Sequence, residues 1–446
     1  MSVDASEVNL GKDGVTQDGV TQDAPAAGGK QPRLTSLLGP AFVAAIAYVD
    51  PGNVAANLSA GAEYGYLLLW VLIVANLMAA VVQYLSAKLG LVTSKSLSAT
   101  LADWFDAREN NGTAAGRRRG RAGRLAFWGQ AEIIAAATDV AEVIGGAIAL
   151  NLLFGTPLVL GGVIVGVVSL GMLVLQGGPT QRRFEFVIMG FLLVITVGFL
   201  SGLFVTGLSV GEMVEGIVPR FQGTHSVVLA ASMLGATVMP HAVYLHSGLV
   251  RDRRFTPQGD DGMRRHLKAT KWDVGTALVV AGTVNIAMLC LAAQALRGVD
   301  GTDTIEGAHG AVENALGPVI GVLFAVGLLA SGLASTSVGC YAGDMVMRDL
   351  LKVRIPLLLR RFLTMLPALV ILGMGVEPTW ALVMSQVVLS VGIPFALVPL
   401  VAATSRHTVM GRWANPRALT LVAVVICAVI IALNVLLIWL TLTGQA

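Results

Sequence analysis

Two polar clusters interrupt apolar runs of this sequence. One is Asp50-Pro51-Gly52-Asn53, inside GPAFVAAIAYVDPGNVAANL; the other is Met239-Pro240-His241, inside SVVLAASMLGATVMPHAVYLHSGL. Asp50 offers a hard anionic oxygen, Asn53 an amide oxygen and Met239 a thioether. Proline removes a backbone donor and clashes with the preceding turn, and glycine adds backbone freedom, so each cluster reads as a break in a helix. Such a break leaves carbonyls without helical partners, and those of Ala47 and Ala236, about one turn earlier, are the best placed to serve as ligands. Oxygen ligands alone would suit Mg²⁺ or Ca²⁺, whereas sulfur biases a site toward softer transition metals. A neutral thioether has little to offer Na⁺ or a carboxylate. Methionine is also common filler, and its place at the break is what singles out Met239.

A second constellation is Glu132, Asp139 and Glu142. On a helix these fall within an arc of about 80° and span roughly 15 Å. Acids in a line within an apolar segment are expected to relay protons. The expected partners are His241, just beyond the second break, and Arg360 and Arg361. Gln386 and Asn76 are further polar candidates, each also fit for an ordinary helix–helix hydrogen bond. His225, His266, His309 and His407 fall in loops or near ends and are expected to be solvated.

What positions these groups must be a membrane bundle. Of 446 residues 55% are hydrophobic and only 13% charged, with mean hydropathy +0.75; soluble domains carry about 25% charged residues. This excludes a disordered chain, a nucleic-acid-binding module and an ordinary cytosolic enzyme. The fold expected is an all-α polytopic membrane protein with eleven spans near 36–62, 65–90, 125–153, 157–176, 184–208, 226–249, 273–296, 314–341, 357–375, 379–403 and 418–442. With the N-terminus in the cytoplasm, only Arg220 and Arg297 of the 30 Lys and Arg residues fall on the outer side, the asymmetry that orients membrane helices. The C-terminus is then extracytoplasmic. The Arg117-Arg118-Arg119-Gly120-Arg121 run fits this topological role, with anionic lipid as its neighbour.

The two breaks share the pattern A-x-V-x-P, at 47–51 and at 236–240. Each lies in the first helix of a five-helix half, 34–208 and 226–403, with 418–442 an eleventh helix outside both. Five is odd, so the halves are expected to be inverted. Matched interruptions in two halves are the sequence mark of a transporter's substrate site. Residues 1–33 are polar and Gly-rich, repeat DGVTQ at 13–17 and 18–22, and are expected to form a disordered cytosolic tail without a secretory signal.

Other classes fare worse. Cys290, Cys340 and Cys427 sit in apolar runs without CxxC spacing and read as small buried hydrophobes. An intramembrane metalloenzyme lacks HExxH, and His241 and His246 diverge by about 140° around a helix. No bound cofactor, nucleic acid or obligate protein partner is expected. The runner-up is a sodium-coupled amino-acid symporter, for which Ser331, Ser335, Thr336 and Ser337 would supply hydroxyl ligands; such hydroxyls more often bond to their own helix.

DPGN and MPH at this spacing resemble the natural resistance-associated macrophage protein (Nramp) family, the proton-coupled divalent metal transporters, bacterial manganese transporters among them. GLASTSVGCYAGDMVM (332–347) is similar to that family's transport signature, from which Leu333 and Cys340 depart. The resemblance covers about 34–442. It implies a leucine-transporter-type fold with two inverted five-helix repeats, located in the cell membrane. It implies that Asp50, Asn53, Met239 and the carbonyls of Ala47 and Ala236 bind Mn²⁺ or Fe²⁺ as transported substrate, with Gln386 joining in some conformations. It implies proton passage by way of Asp50, His241, Glu142, Asp139, Glu132 and the Arg360–Arg361 pair. Members that carry Mg²⁺ or Al³⁺ typically lack the methionine, so Met239 points to the transition-metal branch.

Overall fold

Apolar runs in a medium without water must satisfy every backbone group internally, and helices do so within one segment. The computed structural model describes residues 39–110, 113–173, 181–207, 209–253, 259–302, 304–353 and 355–443, and every regular element among them is a helix. The tail expected at 1–33 lies outside them. The elements are α1 (Pro40–Ala45), α2 (Pro51–Tyr64), α3 (Leu69–Thr93), α4 (Leu97–Glu109), α5 (Ala114–Phe154), α6 (Leu158–Leu173), α7 (Gln181–Thr206), α8 (Val210–Gly216), α9 (Gly223–Thr237), α10 (Pro240–Asp252), α11 (Gly259–Ala295), α12 (Ile305–Leu316), α13 (Pro318–Leu351), α14 (Leu357–Gly373), α15 (Pro378–Ser405), α16 (His407–Met410) and α17 (Arg417–Leu442). Among the described residues eight stretches are long and apolar enough to cross a bilayer, counting Gly223–Asp252 as one; Pro40–Val49 and Leu158–Met172 are shorter apolar stretches.

Several helices outrun the hydropathy that predicts them. The third expected span starts near 125, yet α5 begins at Ala114 and runs 41 residues through the arginine-rich run. The seventh starts near 273, yet α11 begins at Gly259. Hydropathy marks the part of a helix that lies in hydrocarbon, while Ala and Arg propagate the same helix beyond it. The basic extension of α5 is braced by α4. Asp106 pairs with Arg124 and, at 3.1 Å, with Lys352. The Arg124 guanidinium holds the Asp106 carboxyl below the usual carboxylate range.

Close helix approach falls to glycine, as expected where no hydrophobic force drives helices together in lipid. A Cβ at Gly332 would lie 2.9 Å from the Gly146 nitrogen and 3.0 Å from the Glu142 carbonyl oxygen, so α13 rests directly on the backbone of α5. A Cβ at Gly90 in α3 would overlap the Ser247 carbonyl oxygen of α10, and one at Gly145 in α5 would overlap the ring of Pro51. Neither a carbonyl nor a proline ring can swing aside. Gly90→Ala is therefore expected to destabilise the protein by about 1–3 kcal/mol, read as a lowered unfolding temperature in detergent. An unchanged melting curve would show that α3 and α10 separate without cost.

Candidate functional site

Both interruptions are present and follow from local chemistry. The first helix gives way at α1 to a short 3-10 stretch, Ile46–Val49, and restarts at Pro51. Asp50 is extended (φ −72°, ψ 166°) and caps the new helix: its Oδ1 accepts from the Asn53 backbone N–H at 2.8 Å and from Asn53 Nδ2 at 2.6 Å. An Asp N-cap followed by Pro at the first helical position is a strong start signal. The second break lies at Val238 (φ −103°, ψ 80°) and Met239 (φ −81°, ψ 129°), with Pro240 opening α10.

The breaks meet. Asn53 Nδ2 donates to the Ala236 carbonyl at 3.0 Å, across 183 residues. Asp50, Asn53, Ala47, Ala236 and Met239 are all buried. Gln386 of α15 joins them, because any side chain at Gly52 would overlap its amide. Asp50 Oδ2, Asn53 Oδ1 and Gln386 Oε1 are buried oxygens without a hydrogen-bond partner. Buried acceptors are normally paired. Three unpaired ones, an aspartate oxygen among them, gather where the two breaks meet, together with the unpaired Gln386 Nε2.

The acids of α5 fan out from this gap. Arg361 Nη1 binds Asp139 Oδ1 at 2.6 Å and its Nε donates to Ser169 at 3.1 Å. Arg360 Nη2 pairs with both Glu132 oxygens at 3.2 Å. Glu142 is fully buried and neither of its oxygens has a partner. His241 is buried, with Nδ1 3.4 Å from the Thr138 hydroxyl and Nε2 unpaired. Glu132, Thr138 and His241 line one cavity, and Asp139, Cys340, Arg360 and Arg361 line another beside it. Each arginine thus takes one acid, while Glu142 and His241 retain unpaired atoms.

Some polar groups proved to be structural. Asn76 Nδ2 donates to the Leu278 carbonyl at 3.0 Å, an ordinary interhelical bond. The hydroxyls of α13 are engaged with backbone: Ser331 with Val49, Ser335 with Ser331, Thr336 with Gly332 and Ser337 with Leu333. Of the histidines expected in solvent, His266 and His309 are partly buried and bond the Gly262 and Gly321 carbonyls. The three cysteines are free and buried.

Sequence reasoning missed Asn285 and Gln83, and gave Ser331 a different role from the one it has at the first break. Asn285 Nδ2 donates to the Tyr48 carbonyl at 2.8 Å and Ser331 to that of Val49 at 2.5 Å, so two carbonyls freed at the break are answered by α11 and α13. Gln83 donates to the Tyr48 hydroxyl at 2.5 Å and stands 2.7 Å from His246 Nδ1. The available signal was a lone amide in each of two apolar spans, which marks a polar contact without naming its partner.

Comparison with known proteins identifies relatives of this chain. The family model described as natural resistance-associated macrophage protein-like matches residues 41–440. The chain is 58% identical over 408 residues to the divalent metal cation transporter MntH of Mycobacterium tuberculosis, covering 92% of each chain. It is 42% identical over 408 residues to MntH of Bacillus subtilis, covering 91% of this chain and 92% of that one. A crystal structure of the Eremococcus coleocola manganese transporter in complex with an aromatic bis-isothiourea substituted compound superposes with TM-score 0.80 at 27% identity, over 94% of this chain and 90% of the other.

Proposed function

This chain belongs to the natural resistance-associated macrophage protein family, and from that premise we propose that it is a divalent metal cation transporter, not an enzyme, importing Mn²⁺ and Fe²⁺ together with protons. The observation that carries the reading is the set of unpaired buried oxygens of Asp50, Asn53 and Gln386 where the two breaks meet, with Met239 buried at the second break. Oxygen with sulfur favours a transition ion over Ca²⁺ or Mg²⁺.

The proposed architecture is eleven spans in the cell membrane, with halves 34–208 and 226–403 inverted and 418–442 outside both. The N-terminus is cytoplasmic and the C-terminus extracytoplasmic. The breaks let α1 and α2, and α9 and α10, move as separate pieces, so the site opens outward and inward in turn. An inside-negative potential helps, since each charge crossing 100 mV gains about 2.3 kcal/mol; a dication with one proton draws roughly 7 kcal/mol. Protons leave by way of His241, Glu142, Asp139, Glu132 and the arginines, a route separable from that of the metal.

The sodium-coupled alternative lacks support, because the relatives matched over more than nine tenths of the chain are named divalent metal cation transporters. The test is Mn²⁺ uptake into proteoliposomes holding a pH-sensitive dye. Uptake with internal acidification and without a sodium requirement is expected; sodium-dependent uptake, or none, would overturn the proposal. Glu142→Gln and Asp139→Asn are expected to lower the protons carried per Mn²⁺ several-fold while leaving Mn²⁺ binding near wild type. Wild-type acidification in both would remove the acids of α5 from the proton route.

A further inference from the structure

The break at Asp50 leaves α1 a piece of six residues, followed by the 3-10 stretch. Like any helix, it cannot satisfy its own first amides. They are answered by one carboxylate far along the chain: Asp273 Oδ1 accepts from the Gly39 N–H at 2.8 Å and Oδ2 from the Ala41 N–H at 3.0 Å. Asp273, on α11, is buried. Two further elements close on the same tip. Arg253, which follows α10, pairs with Glu185 of α7 at 2.8 Å. A side chain at Gly39 would stand 2.5 Å from Arg253 Nη2 and 3.2 Å from Glu185 Oε2. Gly39 itself has φ 135°, a conformation that only glycine adopts readily. The tip of α1 therefore lies against α7, α11 and the end of α10, and two of its amides end on one carboxylate.

We propose that Asp273 is a positioning residue for transport: its carboxylate latches the tip of α1 against α11 and so holds the inner side of the site shut. The latch rests on the alternating-access reading above, which places this end of α1 at the cytoplasmic face. Its chemistry suits a reversible clasp. Bonds to an ionised acceptor are about twice as strong as neutral ones, and a carboxylate at a helix N-terminus also meets the favourable end of the helix dipole. Yet both partners regain water when the tip swings into the cytoplasm, so opening strands nothing. A small cavity already lies beside the tip, lined by Pro40, Val250, His266 and Asp273 among others. Departure of α1 would widen it toward the break, whose Tyr48 is tied through Gln83 to His246, a further lining residue.

The test is hydrogen–deuterium exchange of the full-length protein in nanodiscs, comparing wild type with Asp273→Asn and Asp273→Ala. Asn keeps one acceptor at the same size and guards against misfolding of the Ala variant. Amides of residues 39–49 are expected to exchange about tenfold faster or more in both, with α13 as protected as in wild type. In the same preparations reconstituted for uptake, KM for external Mn²⁺ is expected to rise with kcat retained, because fewer molecules face outward. Unchanged exchange at 39–49 in Asp273→Asn would overturn the latch, as would an unchanged KM. Exchange is read without transport, so a failure of wild-type uptake would overturn the functional reading alone.

Discussion

Asp50→Ala is expected to abolish metal uptake. Asp50 is the one carboxylate at the meeting of the two breaks, and its Oδ2 has no protein partner. Loss of even an outer-shell group costs a metal site 10- to 100-fold, so loss of the carboxylate from the proposed site should lower kcat/KM for Mn²⁺ by about 100-fold or more. The same side chain also caps α2 through the Asn53 amide, and removing a cap alone costs roughly 1 kcal/mol. Asp50→Asn separates the two roles. It keeps a capping oxygen and discards the charge, and it should fail in transport nearly as badly while melting close to wild type. Mn²⁺ uptake in proteoliposomes and calorimetric binding provide the readings. Uptake by Asp50→Asn within a few-fold of wild type would remove the carboxylate from the ligand set.

Met239→Ala should leave a transporter that no longer prefers Mn²⁺ over Ca²⁺. The thioether is the one soft donor among hard oxygens, so its loss falls on the softer ion. The expected change is about tenfold in the ratio of Mn²⁺ to Ca²⁺ uptake, equivalent to ~1.4 kcal/mol. Met239 is also fully buried, and truncation opens a cavity; Met239→Leu conserves volume and removes only sulfur. If the leucine variant keeps its preference for Mn²⁺, sulfur is filler here, and the selectivity arises from the size of the oxygen cage.

The site was legible because its residues announce themselves locally. A carboxylate, a proline and an amide in the middle of an apolar run are costly unless they have a use, and the pattern repeats in the second half of the chain. The cluster of acids and arginines was legible in part. The helical arc of Glu132, Asp139 and Glu142 was readable, and so was the presence of two arginines, but not their assignment. The structure gives Arg361 to Asp139 and Arg360 to Glu132, leaving Glu142 without either. That pairing depends on how far α14 slides along α5, which no periodicity records.

The sequence by itself determined where the first and sixth spans are interrupted. Asp50 and Met239 both precede prolines at the first position of the restarted helix, and Asp50 adds a side-chain cap. It also determined the groups within one turn of each break, but not that Gln386 of α15 joins them. Only the tertiary structure decided how the broken backbone is made whole. The Tyr48 and Val49 carbonyls are answered by Asn285 and Ser331, and the amides of Gly39 and Ala41 by Asp273. These partners lie more than 200 residues away along the chain. A hydrogen bond's energy depends on distance and angle in space, while sequence patterns report neighbours within a few turns. A lone Asn or Asp in an apolar helix therefore promises a bond, and the packing of the bundle selects the group that receives it.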